Sequence, residues 1–366
     1  MDDISSFSVF NNWALFSYTG ERMEERVFTM HKTVKYFVNG HTARGYVNYL
    51  HSNIEKFEKV VVLQNGNYLD VTTLFIQLLR EHDAIYREVI CDPQGIDAIG
   101  GVLFQDKQLA IIHESIIDEA IIHAEYINLE DYYDRPPHKI NKQEVDELYQ
   151  ASYALFKKGL DIHDQLEQIY VNEMNFAEAN RLANHFIEKL LQYVEKKTRP
   201  SMVKKRLFGT NTLEGMVNVV EKLIEPIENR VYVKGRAGTG KSVFMKKVWQ
   251  ACEAYGLDIE VYYCSFDPNS IDMVLVRELD FCIFDSTDPH EFSPQSNEDI
   301  VIDLYELTVT PNTDEKYKDE IEQLTSAYKQ NMKSGITNLK EIKKIYPNQS
   351  GNLDVKGVIH SIYLKK

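Results

Sequence analysis

Residues 235–242 read Gly-Arg-Ala-Gly-Thr-Gly-Lys-Ser, and no other stretch constrains the fold as tightly. They fill every fixed position of the pattern G-x-x-x-x-G-K-[ST], which works only where a strand runs into the loop and a helix leaves it. Both flanks agree. Residues 230–234 are β-branched and strand-like, and residues 243–252 read as a helix. Gly235, Gly238 and Gly240 let the backbone fold around phosphates, with the amides of Gly238 to Ser242 turned inward. The helix N-terminus adds favourable partial charge for an anion. Arg236, Ala237, Thr239 and Val243 complete the expected contact set. Lys241 is expected to reach the β- and γ-phosphates, and the Ser242 hydroxyl to be a Mg²⁺ ligand.

A chain of 366 residues is long enough for two domains with proper cores. No run of apolar residues is long enough to span a bilayer, and the N-terminus lacks the positive flank of a secretory signal. The four cysteines, Cys91, Cys252, Cys264 and Cys282, lack metal-ligand spacing. These features point to a reducing, cytoplasmic setting. The formal charge of −15 argues against nucleic acid as a partner, because affinity for a phosphate backbone needs clustered Lys and Arg. One basic cluster, residues 196–206, reads as a solvated linker.

The chain also contains itself twice. Residues 37–64 lie on 207–234, where Thr42 meets Thr212, Gly45 meets Gly215, and Val47 and Asn48 meet Val217 and Asn218. Asp92 and Pro93 are set on Asp267 and Pro268, and Ile96 and Asp97 on Ile271 and Asp272. Residues 144–170 lie on 320–346, with Glu144, Leu148, Ala151, Lys157, Gly159, Ile169 and Tyr170 recurring. Blocks in one order at nearly constant spacing indicate a duplicated domain. The expected division is an extension over 1–34, a first domain over 35–197, a linker over 198–206 and a second domain over 207–366. Each copy reads as a helix (42–57 or 212–227), a strand, a loop, a helix and a second strand (86–91 or 259–264). A third strand (109–112 or 279–284) then follows an Asp-Pro loop. The apolar strands argue for mostly parallel sheets between helical layers, an α/β/α sandwich in each copy. Long helices close each copy. The stripe of Phe176, Ala179, Leu182, Ala183, Phe186 and Leu190 has the period of a helix packed in a core or against another helix, and does not point to a ligand site.

The copies differ where chemistry is expected. Carried through the loop, the repeat puts Val71 in the place of Lys241 and Asp70 in that of a glycine, leaving only Thr72 to match Ser242. Asp285 ends an apolar strand about forty residues after Lys241, where P-loop proteins carry the carboxylate that orders Mg²⁺. Its counterpart is His113. Both polar ends of the phosphate site are missing together from the first copy, which is expected to bind no triphosphate. Beyond the third strand, Asp288, His290 and Glu291 are candidates to activate the attacking group at the carboxyl edge of the sheet. Asp267 is a further candidate, although the recurring Asp-Pro favours a turn. No arginine finger is identifiable.

These residues resemble a bacterial family of uncharacterised tandem P-loop NTPase-like proteins, over residues 35 to 346. The likeness rests on the glycine loop and on Asn39-Gly-His-Thr42-Ala-Arg-Gly45. It also rests on Cys264-Ser265-Phe-Asp267-Pro268 and on Asp285-Ser286-Thr287-Asp-Pro289-His290. Ser286 departs from the family's glycine, and the first half has lost its loop. The resemblance implies two tandem P-loop NTPase-like domains with additional long helices, and adds no reaction.

The leading expectation is Mg²⁺-dependent binding and hydrolysis of a nucleoside triphosphate. No Asn-Lys-x-Asp guanine reader is present, which favours ATP. The alternatives are a small-molecule kinase and a nucleotide-gated interaction protein whose two halves dock differently when nucleotide is bound. Association of copies into a homo-oligomer stays open.

Overall fold

The computed structural model describes residues 32–82, 86–135, 141–288, 291–296, 299–346 and 350–364. By its contacts the chain falls into two units, neither contiguous in sequence. The first takes 32–156, Lys205–Leu223 and 332–364. The second takes Lys157–Lys204 and Ile224–Asn331.

The strands in chain order are β1 (Lys32–Tyr36), β2 (Asn39–Thr42), β3 (Gly45–Asn48), β4 (Lys59–Gln64), β5 (Tyr86–Cys91), β6 (Ile99–Phe104), β7 (Leu109–His113) and β8 (Glu125–Asn128). They continue as β9 (Val203–Leu207), β10 (Gly209–Thr212), β11 (Gly215–Asn218), β12 (Asn229–Lys234), β13 (Ile259–Tyr263), β14 (Ile271–Val276), β15 (Phe281–Asp285) and β16 (Ile300–Asp303). The long helices are α1 (Tyr68–Glu81), α2 (Lys142–Asn172), α3 (Phe176–Leu191), α4 (Lys241–Ala254), α5 (Lys318–Ile345) and α6 (Val355–Leu364). Among the described residues no helix is long and apolar enough to cross a membrane.

Two six-stranded sheets result, ordered β1-β5-β6-β7-β4-β8 and β9-β13-β14-β15-β12-β16. The fold is mixed α/β, and the two orders are the same. In each sheet a buried apolar strand, β4 or β12, runs parallel to both its neighbours. Each sheet also holds one strand antiparallel to both neighbours, β6 or β14.

That reversed strand corrects the sequence reading, which ran from the second strand through the Asp-Pro loop straight to the third. Short connections explain it. Only a single 3₁₀ turn, Gln105–Lys107 or Arg277–Leu279, separates the reversed strand from the next. Each turn is closed by a residue in the left-handed region, Gln108 at φ +48° or Asp280 at φ +46°. So short a link can join only antiparallel strands.

The helices expected over 42–57 and 212–227 are also corrected. Each stretch is mostly a hairpin, β2–β3 or β10–β11, followed by a short helix, His51–Ile54 or Val220–Ile224. Thr42 Oγ1 donates to the Gly45 carbonyl at 2.8 Å and accepts from the Arg44 amide at 3.1 Å. Thr212 makes the same pair of bonds with Gly215 and Glu214. Gly45 and Gly215 take φ of +91° and +133°, which L side chains rarely adopt. The recurring Thr-x-x-Gly marks a turn.

The basic stretch 196–206 is not a solvated linker throughout. Its end belongs to β9, and Arg206 is fully buried, paired with Glu88 at 2.7 Å and stacked 3.4 Å from the centre of the Tyr36 ring.

The helices that close each sheet come from the opposite half of the sequence. Leu182, Ala183, Phe186, Leu190 and Leu191 of α3 join the core of the second sheet, with Val231, Phe244, Val248 and Ile283. Val358, Ile359 and Ile362 of α6 join the core of the first, with Val61, Leu74, Phe75 and Ile111. The apolar stripe of α3 is core, as its period indicates, but it covers the second sheet and not the first. Phe176, at the start of that stripe, is exposed.

Candidate functional site

The loop 235–240 leaves the C-terminal end of β12, whose Val231, Tyr232 and Val233 are wholly buried, and enters α4 at Lys241. The chain proceeds from β12 to β13 on one side of it and later to β16 on the other. This is the reversal of strand order at which open α/β sheets leave a crevice. Gly235, Gly238 and Gly240 take φ of +150°, +73° and +81°, so each glycine of the loop sits where a side chain would be strained. Inside the loop Thr239 donates to the Arg236 carbonyl through its amide at 3.4 Å and through its hydroxyl at 2.8 Å. Arg236 turns away to Asp314, with guanidinium bonds of 3.0 and 2.9 Å, and Val243 is exposed.

Lys241 Nζ folds back over the loop. It donates to the carbonyls of Arg236 at 2.8 Å and Gly235 at 3.3 Å, and lies 3.7 Å from Asp285 Oδ2. The lysine and the strand-end carboxylate that sequence reasoning assigned to one site are therefore together. Parallel pairing sets Asp285 beside Val233, two residues before the loop. Its Oδ1 accepts from the Thr287 amide at 3.0 Å and from the Thr287 hydroxyl at 2.5 Å. Ser242 Oγ accepts from the Ile271 amide at 2.8 Å, which ties the loop's end to the start of β14.

Asp272 was missed by the sequence reading. The pairing of Met273 with Phe284 places it across from Asp285. It is buried, and burial followed by the Asp285 charge pushes its carboxyl well above the usual carboxylate range. Opposed like charges are unfavourable in a sheet unless a proton or cation intervenes.

Other sequence candidates fall differently. Asp288 is exposed and paired with Lys329 at 2.5 Å, and Glu291 is exposed with no contact to the loop among its described bonds. His290 lies outside the described residues. Asp267 accepts the Asn269 amide at 3.2 Å through Oδ1 and the Ser270 amide at 2.9 Å through its carbonyl, which makes it a turn residue. Its alignment with Asp92 is corrected by register. Cys91 pairs with Ile99 as Tyr263 pairs with Ile271, and the Asp92 amide bonds to Ala98 as the Cys264 amide bonds to Ser270. Asp92 therefore corresponds to Cys264, and Gly100 to Asp272.

A second group reaches the loop from α2, far away in sequence. Leu166, Ile169 and Tyr170 form an apolar cluster against which Ala237 packs. A Cβ at position 238 would overlap the Glu167 carbonyl oxygen, so only glycine permits this approach. His163 Nδ1 lies 3.6 Å from Glu167 Oε1, and His163, Asp164 and Glu167 gather their polar atoms within 4.8 Å of one another. The signal available in the sequence was a polar i, i+4 pair on a helix with an apolar opposite face. Nothing local linked it to the loop.

The matching place in the first unit is built differently. Thr72 Oγ1 accepts from the Ile99 amide at 3.0 Å, the equivalent of Ser242 and Ile271, so Val71 does stand where Lys241 stands. Helix α1 starts at Tyr68, three positions earlier by that correspondence, with Asn67 as its cap. The Asp70 amide is taken by Asn67 Oδ1 at 2.9 Å. The Asp70 carboxylate accepts from Asn67 Nδ2 at 2.7 Å, Tyr133 OH at 2.8 Å and the Gly351 amide at 2.9 Å. His113 pairs through Nδ1 with Ser115 at 2.8 Å, and Ser115 donates to Asp92 at 2.5 Å. Burial pushes the His113 pKa down to about 4, so the ring is neutral at pH 7.

The chain matches no family model, no curated protein sequence and no solved structure.

Proposed function

We propose that the second unit binds the polyphosphate of a nucleoside triphosphate on the Gly235–Ser242 loop and hydrolyses it, with ATP the first nucleotide to test. One arrangement carries this reading. A loop with left-handed glycines joins a central parallel strand to a helix, and the first residue of that helix, Lys241, lies 3.7 Å from the strand-end Asp285. Lys241 and the loop amides supply positive potential for the phosphates. The carbonyls that Lys241 now occupies are weaker partners for it than a phosphate would be.

The oxygens of Ser242 and Asp285 are the hard donors that Mg²⁺ takes, and Asp272 across from Asp285 fits a site that a cation neutralises. Bound there, Mg²⁺ would supply charge stabilisation to the transferring phosphoryl group. Lys241 then holds the developing charge on the leaving oxygen, and the loop amides fix the phosphates for in-line attack by water.

We read the first unit as a second copy of the same architecture that has lost this site. The reading is supported by the shared strand order and by the matching Ser242–Ile271 and Thr72–Ile99 bonds. Its helix starts early enough to consume amides that a phosphate would need, and the Asp70 carboxylate is held at that helix start.

The test is equilibrium binding of ATP and GTP with Mg²⁺, together with phosphate release, by the full chain and by Lys241→Ala and Asp285→Asn. Affinity lost in Lys241→Ala and Mg²⁺ dependence lost in Asp285→Asn support the reading. Undiminished binding in Lys241→Ala sinks it. Tight binding without turnover would favour a nucleotide-gated interaction protein.

A further inference from the structure

Helix α2 brings a carboxylate to the glycine loop by backbone contact. Gly238 abuts the Glu167 carbonyl too closely for any side chain at 238, and Ala237 is packed on the same helix's apolar face. The Glu167 side chain thus starts from a fixed place beside the loop. Burial raises its pKa, Asp164 and Asp267 add to the rise, and Lys241 and the Gly238 amide oppose it. Those last two groups belong to the part of such loops that holds the β- and γ-phosphates. His163 stands 3.6 Å from the Glu167 carboxylate and is itself held edge-on between Phe266 at 5.9 Å and Tyr328 at 5.3 Å, ring centre to ring centre.

The internal repeat supplies an independent observation. Setting 144–170 on 320–346 puts Lys343 in the place of Glu167 and Leu339 in that of His163. In the first unit Lys343 bonds to the hydroxyl of Tyr68, the residue that corresponds to Gly238. Each long helix therefore delivers the same position to the same point of a glycine loop or its remnant. Where the loop keeps its lysine, the helix offers a carboxylate. Where the lysine has become Val71, the helix offers an ammonium, and the histidine has become a buried leucine.

Resting on the nucleotide reading above, we propose that Glu167 is the catalytic base of the second unit and that His163 positions it. An incoming triphosphate takes over the Gly238 amide and Lys241, which frees the carboxylate beside the γ-phosphate. The water oxygen forms its bond to the γ-phosphorus as the bond from that phosphorus to the β–γ bridging oxygen breaks. The bonding electrons leave with the diphosphate, and the water proton passes to Glu167 and then to solvent. The products are nucleoside diphosphate, inorganic phosphate and a proton.

The experiment measures Mg·ATP binding and single-turnover phosphate release by the full chain, Glu167→Gln, Glu167→Asp, His163→Gln and Lys241→Ala. Glu167→Gln should bind ATP at least as tightly as the unaltered protein and release phosphate about 100-fold more slowly, the usual scale of a lost general base. Glu167→Asp should recover part of the rate. His163→Gln should lower kcat and leave KM unchanged. Phosphate release by Glu167→Gln at the unaltered rate overturns the proposal, as does an unaltered protein that binds ATP and never hydrolyses it. Loss of binding in Glu167→Gln overturns it too, by making Glu167 a structural residue. Absence of binding from every protein, unaltered chain included, instead removes the reading of the loop itself.

Discussion

The amide of Ile271 donates to Ser242 Oγ at 2.8 Å, which pins the start of the loop helix to the start of the reversed strand β14. Ile271 is 3 % exposed, so its N–H has no water to turn to. Ser242→Ala should therefore destabilise the second unit by about 1–3 kcal/mol, the cost of an unsatisfied buried donor. Ser242→Thr keeps the acceptor and should be close to neutral. Urea unfolding followed by Trp249 fluorescence measures both. Equal midpoints for Ala and Thr would show that the bond carries no stability.

A lysine at the matching position should not give the first unit a phosphate site. Val71 is fully buried, so Val71→Lys must find room for an ammonium in an apolar setting. The carboxylate of Asp70 also remains, held by three donors at the start of α1. The expected outcome is lower stability and no gain in ATP binding when Lys241→Ala is the background. A new ATP site in that double variant would mean that α1 can re-form a loop.

Much of the second site was legible because it is local. The glycines, Lys241 and Ser242 lie in one octapeptide whose flanks have different periods, and His113 at the place of Asp285 followed from counting along strands. What was not legible depends on pairing between distant segments. The short hairpins at Gly45 and Gly215 look helical because Ala43, Val47 and Leu50 or Leu213, Val217 and Val220 fall near helical spacing, while the deciding cue is one left-handed glycine. The reversed strands β6 and β14 hid behind the Asp-Pro loops, and this displaced the alignment of Asp92. His163 and Glu167 could not be found from their neighbours, because α2 meets the loop only in three dimensions.

The buried pair of Arg206 and Glu88 gives a stability test far from the loop. Glu88 also accepts from Tyr36 OH at 2.6 Å and Gln105 Nε2 at 2.8 Å, and Arg206 Nε donates to Asn53 Oδ1 at 3.0 Å. Removing one partner leaves the other charged and dry. Glu88→Gln and Arg206→Ala should each cost about 3–5 kcal/mol. Replacing both together with apolar residues should cost less than the sum. Additive losses in denaturant titration would show that the two charges are not coupled.

Acid should loosen the first unit through its buried histidines. His113 is held near pKa 4 and His41 near 3, both by burial, against 6.5 for a free imidazole. Between pH 6.5 and 4 the unfolded chain therefore binds protons that the folded chain refuses, so stability falls as pH falls. For His113 the full loss is on the order of 3 kcal/mol, from the linkage of about 1.4 kcal/mol per pKa step. His113→Asn, which can still bond to Ser115, should flatten this slope between pH 6.5 and 4. An unchanged slope in that variant would place the acid sensitivity elsewhere.

The exchange of closing helices predicts how the chain tolerates being cut. Residues 207–366 contain the glycine loop, Asp285 and the second sheet from β12 to β16, yet they lack α3, whose Phe186 and Leu182 are buried in that sheet's core. They carry α6 instead, whose Val358 and Ile362 belong to the core of the first sheet. Expressed alone, this fragment should expose apolar surface on both counts and aggregate, although it holds every residue of the loop. Adding 157–197 in trans as a separate chain should recover only part of the soluble protein, because α3 then returns to the face it covers while the apolar face of α6 stays bare. In the intact chain, Phe186→Ala should reproduce part of the defect, at about 3–5 kcal/mol. A soluble, cooperatively unfolding 207–366 fragment would mean that α3 is dispensable to the sheet it packs on.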